Sequence, residues 1–155
     1  NLKEAQAYYT RVLELDPNSY ENYLNIANVL YRVGNLEEAV PHFRKAIALN
    51  PGLVETHYNL GNALGQQGHL EEARKAFEQA ISLDEKLPLP HYGLGIIHQR
   101  TGQYSKAITA FKQALALNPK LKQAHHFLAK IYDEMGEKQK AIFHTRAAEK
   151  ISGQP

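Results

Sequence analysis

The sequence predicts an all-α fold, a solenoid of antiparallel helix pairs. Three observations predict it: small residues recurring at one fixed interval, apolar residues at helical spacing between them, and Asx-Pro pairs in the same register. Gly34, Gly68, Gly102 and Gly136 stand 34 residues apart, and Ala39, Ala73, Ala107 and Ala141 follow each glycine at a constant offset. Phe43, Phe77 and Phe111 keep the register, as do Ala46, Ala80, Ala114 and Ala148, and Ile26, Leu60, Leu94 and Leu128. Chance does not align so many ladders, so the repeating stretch is one structural unit.

Each unit divides into two helices. Leu60, Ala63 and Leu64 recur at helical spacing before Gly68, and Leu70, Ala73, Phe77, Ala80 and Ile81 do so after it. The glycine between them supplies the left-handed backbone that ends the first helix. Asp16-Pro17, Asn50-Pro51 and Asn118-Pro119 end the second, because the residue before a proline is pushed out of the helical region. The division that follows is 20–53, 54–87, 88–121 and 122–155, with residues 1–19 as the second helix of a truncated unit.

This pattern resembles the tetratricopeptide repeat, a 34-residue helix-turn-helix, over the whole chain. The resemblance implies a right-handed superhelical array whose function is to bind other proteins. It also gives the repeated slots a physical sense. Ala27, Gly61, Gly95 and Ala129 are small where paired helices cross, and Ala39, Ala73, Ala107 and Ala141 are small on the facing helix, so a larger side chain at Ala73 is expected to overpack. Phe43, Phe77 and Phe111 fill the space toward the neighbouring unit, so stability comes from nearest-neighbour stacking.

Some positions depart from the pattern. Glu85 stands where a proline is expected, and Pro88 and Pro90 follow, so the turn there is expected to shift. Pro41 falls inside a second helix and is expected to bend it. In the last unit Thr145 replaces the aromatic, Lys138 a large residue and Glu149 an apolar one, as in a cap with a polar outer face. At the other end, Leu2, Ala5, Tyr9, Val12 and Leu13 form an apolar face without a partner helix, so residues 2–15 offer a surface for self-association or for upstream sequence.

In the family, the first helices of successive units line a concave binding groove. The positions here are Asn25, Asn28, Tyr31 and Arg32, then Tyr58, Asn59, Asn62 and Gln66. Tyr92, Ile96, Gln99 and Arg100 follow, and then His126, Phe127, Lys130 and Asp133. Asn25 with Asn28, and Asn59 with Asn62, form a short ladder, similar to the asparagine ladder in the repeat arm of O-linked N-acetylglucosamine transferase. An amide both donates and accepts, so such a ladder grips peptide backbone whatever its sequence. It stops at Gly93 and Ile96. The family's carboxylate clamp matches at Asn28 and Asn59 and fails at Leu24, Leu89 and Gly93, which stand where cations are needed.

The rest of the sequence argues against other chemistry. Lys and Arg total 18 against 16 Asp and Glu, interleaved throughout, which gives no electrostatic footprint for nucleic acid or an anionic membrane. Without cysteine there is no thiolate nucleophile or thiolate zinc site, and the compartment is left open, with cytoplasmic as the default. His57, His91 and His125 fill one repeating slot, and units about 10 Å apart cannot bring two of them onto one zinc ion. Glu37-Glu38 and Glu71-Glu72 open helices, where the helix dipole favours negative charge. No catalytic residue, cofactor or metal is expected, and the partner class is protein or peptide. Two alternatives stay open: a self-assembling scaffold, and the substrate-recruiting arm of a larger enzyme.

Overall fold

The computed structural model describes residues 2–153, except the side chains of residues 2, 3, 5, 6, 9, 10 and 14. The described residues form nine helices and no strand: α1 (Leu2–Leu15), α2 (Tyr20–Arg32), α3 (Leu36–Leu49), α4 (Val54–Gln67), α5 (Leu70–Leu83), α6 (Pro88–Arg100), α7 (Tyr104–Leu117), α8 (Lys122–Glu134) and α9 (Lys138–Ser152). They fall into two compact units, 1–85 with α1 to α5 and 86–155 with α6 to α9. In the first, α2 packs on α3, α4 on α5, α1 on α2 and α3 on α4; in the second, α6 packs on α7, α7 on α8 and α8 on α9.

The glycine ladder makes the turn inside each pair. Gly34, Gly68, Gly102 and Gly136 have φ of 81, 85, 72 and 74°, a region that costs a residue with Cβ. Around Gly34 the Asn35 N–H donates to the Leu30 carbonyl at 2.9 Å and the Gly34 N–H to Tyr31 at 3.0 Å, so the last carbonyls of α2 are satisfied. The other three glycines repeat both bonds. Asn35 then caps α3, its side chain accepting from the Glu38 N–H, as Ser19 caps α2 by accepting from Asn22.

Between pairs, the Asx-Pro signal works through its side chain. Asp16, Asn50 and Asn118 each accept a hydrogen bond from the N–H two residues on, at 3.1, 3.3 and 3.0 Å. The expected shift at Glu85 does not occur. Pro88 is the first residue of α6, in the register of Val54 and Lys122, because an N-terminal proline gives up an N–H that the helix leaves unpaired anyway. Pro41 lies on the exposed side of α3, which runs unbroken from Leu36 to Leu49.

The core follows the slots. Phe43, Phe77 and Phe111 are at most 2% exposed, and Ala39, Ala73 and Ala107 are fully buried. A Cβ added to Gly61 would lie 2.8 Å from the Phe77 ring, and one on Gly95 2.7 Å from the Phe111 ring, so the smallness at these crossings is required. Of the N-terminal face, Leu2, Ala5 and Tyr9 lie outside the described side chains, Val12 and Leu13 are half-buried, and Tyr8 and Leu15 are exposed. At the other end Lys138, Thr145 and Glu149 are exposed as a polar cap requires, but so are Ile142 and Phe143, so α9 presents a mixed surface.

Candidate functional site

Two hydrogen bonds join the first helices of the first unit. Asn59 Nδ2 on α4 donates to Asn28 Oδ1 on α2 at 3.1 Å, and farther along Gln66 Nε2 donates to the Tyr31 hydroxyl at 2.6 Å. Asn25, Asn28, Asn59 and Asn62 are all half-buried, while Arg32 and Gln66 are exposed. The Asn28–Asn59 bond uses one acceptor and one donor, leaving the Asn28 amino group and the Asn59 carbonyl oxygen outside it. Burial, then the neighbouring Tyr58, raises the Tyr31 pKa, and the Gln66 hydrogen bond partly offsets this. The hydroxyl therefore keeps its proton, and because it accepts from Gln66, that proton points elsewhere.

In the second unit the corresponding face is aromatic. Tyr92 on α6 lies 5.8 Å from Phe111 and 5.9 Å from Phe127, and Phe111 and Phe127 stack at 5.2 Å with 12° between their planes. Ile96 packs on the same cluster, and Arg100, His126, Lys130 and Asp133 are exposed. Tyr58 shares one of these contacts, lying 6.0 Å from Phe77. Both tyrosines are half-buried, so one ring face packs on a core phenylalanine. Their spacing alone does not show this double duty.

One histidine of the repeating slot is tied to its own loop. His57 is buried, and its Nε2 donates to the Pro51 carbonyl at 2.9 Å, closing the loop before α4. His125 lies near the Pro119 backbone, which acts, after burial, on its pKa. The Nδ1 of His125 meets Nδ1 of His144 on α9 at 2.9 Å, a contact that no spacing in the sequence announces. His144 stacks on Tyr132 at 5.7 Å, and burial, then His125 and Lys112, hold its pKa down to about 4.

Among the described residues no group of three His, Asp or Glu is placed to hold a metal ion, and no helix is long and apolar enough to cross a membrane. Leu24 is half-buried, Gly93 buried and Leu89 exposed, so the cationic places of a carboxylate clamp carry no charge. Glu71 and Glu72 are engaged in ion pairs, with Arg74 one turn on and with Arg44 on α3.

No curated protein sequence matches the chain. Among solved structures it is similar to MamA, at 24% identity and a TM-score of 0.93, over 97% of this chain and 88% of that one. It is also similar to YrrB, described as a TPR protein with an unusual peptide-binding site, at 23% identity and a TM-score of 0.83, over 97% and 77% of the two chains. PilF of Pseudomonas aeruginosa gives 22% identity and a TM-score of 0.89, over 100% and 71%. At these identities the likeness is one of fold. Tetratricopeptide-repeat profiles match residues 1–19, 18–86, 58–119 and 98–150, which leaves almost none of the sequence outside them. With the 34-residue ladders realised as packed helix pairs, the chain belongs to the tetratricopeptide-repeat family, whose members are typically non-enzymatic scaffolds for other proteins.

Proposed function

We propose that this scaffold holds an extended peptide or a partner helix on the first-helix face, with Asn25, Asn28, Tyr31, Arg32, Tyr58, Asn59 and Asn62 as the contacts in its first unit, and Tyr92 and Arg100 in its second. The observation that carries this reading is the Asn59–Asn28 bond at 3.1 Å. It fixes two amides side by side on neighbouring helices, each with hydrogen-bonding groups to spare, so a guest backbone meets oriented partners and costs little side-chain entropy. Half-burial strengthens those bonds relative to fully solvated ones. That YrrB, similar in fold, is a peptide-binding protein agrees with this.

Replacing Asn28, Asn59 and Asn62 together by alanine is expected to weaken capture of partner proteins at least tenfold, with the helical circular dichroism unchanged. Equal capture by the variant would remove the ladder from the site. A second reading, self-association through residues 2–15, is favoured by Leu15, which is 84% exposed, and Tyr8 at 66%. Light scattering across a range of concentrations separates the two, since a monomer at every concentration excludes the second.

A further inference from the structure

The near-balance of charge over the chain conceals two unlike units. Residues 1–85 hold seven Lys and Arg against twelve Asp and Glu, and residues 86–155 hold eleven against four, with no carboxylate side chain anywhere from Lys86 to Tyr132. The reversal is sharpest in the second helices. The slot of Glu38 and Glu72, near the start of α3 and α5, carries Lys106 in α7 and Lys140 in α9. A carboxylate suits that end of a helix and an ammonium group does not, so helix formation is no reason for the exchange. In the first unit Glu72 pairs with Arg44 on α3, which ties one second helix to the next. Two repeats on, the same two places hold Lys140 on α9 and Lys112 on α7, and the structure brings both ammonium groups over a single ring, that of Tyr132 on α8, at 5.1 and 6.0 Å from its centroid. An attraction between neighbouring repeats has become a pair of like charges. Glu137 pairs with Lys140 and answers one of them, whereas Lys112 has no ion pair among the described residues.

We propose that Lys112 and Lys140, facing each other over Tyr132, take a carboxylate between them from an acidic segment of another protein. The first unit is the template, since the guest supplies there what Glu72 supplies to Arg44. Each ammonium group has three donors, so the bond to Glu137 leaves Lys140 able to share an incoming carboxylate with Lys112. Tyr132 is buried and stacked on His144, which makes the ring a fixed floor for both side chains. Nine of the eleven cations in the unit are lysines, which lack the planar fork that makes arginine the stronger choice for phosphate, and together they draw an acidic chain toward the pair. That the carboxylate comes from a protein rests on the reading of the chain as a scaffold, whereas the facing lysines do not. The site shares no residue with the asparagine face on α2 and α4, so the two can fail separately.

The test uses the full ¹⁵N-labelled chain, titrated at low salt with acetyl-hexaglutamate-amide and, as control, acetyl-hexaglutamine-amide. Shifts are expected at the amides of Lys112 and Lys140 with the glutamate peptide and not with the control. Lys140→Glu restores the pairing of Arg44 with Glu72 from within and is expected to weaken glutamate binding at least tenfold, and Lys112→Gln to weaken it as well, with the helical circular dichroism unchanged in both. Lys120→Glu makes the same change of net charge at another exposed lysine of the unit, and is expected to weaken binding only slightly. An Asn28→Ala, Asn59→Ala variant is expected to bind the glutamate peptide as the unaltered chain does. Equal losses in Lys140→Glu and Lys120→Glu would overturn the proposal, because the attraction would then belong to the total charge of the unit. An equal response to both peptides would do the same. So would a short DNA duplex that perturbs Lys112 and Lys140 more strongly than the glutamate peptide, because the ligand would then be a phosphate.

Discussion

Gly61 shows how closely individual residues are specified. Alanine there gains roughly 1 kcal/mol of helix propensity, but its Cβ would stand 2.8 Å from the Phe77 ring, and overpacking of that kind costs about 1 to 3 kcal/mol. The second effect wins. Gly61→Ala is expected to lower stability by about 1 kcal/mol in urea denaturation, with much of the loss restored when Phe77→Leu is added. His144 makes a prediction about pH. Its pKa is held near 4 in the folded chain, against 6.5 for an unperturbed histidine, by burial and then by His125 and Lys112. Above pH 6.5 both states are neutral and it contributes nothing. Between 6.5 and 4 the unfolded chain takes up a proton that the folded one refuses, so stability falls, and below 4 this loss levels off. His42 and His125 are shifted in the same direction, so His144→Phe is expected to shrink the acid loss between pH 7 and 4 without abolishing it. An identical loss in the variant would show that His144 takes no part.

A helix pair depends on its turn. At Gly68 a Cβ would touch nothing within 4 Å, so the cost of Gly68→Ala is the backbone cost of φ +85° alone. That is about 1 to 2 kcal/mol, measurable as a lower urea midpoint, and Gly68→Asn is expected to lose less because asparagine tolerates the left-handed region. At this scale the sequence was easily read. The glycines take the positive φ that their place between two helical patterns requires, and each Asx before proline closes its own turn. The misreading at Glu85 is instructive. A missing proline suggested a displaced turn, but the start of α6 is set by Pro88 and by apolar positions that keep the register of Leu60 and Leu128.

The molecule as a whole is stabilised by neighbours. Among the described residues α4 packs on both α3 and α5, whereas α1 packs chiefly on α2 and α9 on α8. In such arrays stability is a sum of unit and interface contributions, so hydrogen exchange is expected to be slowest in α4 and fastest in α1 and α9. Equal protection in α1 and α4 would show that something outside this packing secures the N-terminal helix.

By itself the sequence determined the all-helical class, the 34-residue pairing and the small and large slots, because turns and helical rhythm obey short-range rules that residues close in the chain spell out. Only the tertiary structure decided which polar groups meet: Asn28 with Asn59, 31 residues apart, and His125 with His144, 19 apart. It likewise set Tyr58 and Tyr92 against the core. Those outcomes depend on rotamers and on how closely two helices cross, and both are set by packing between residues distant in the chain.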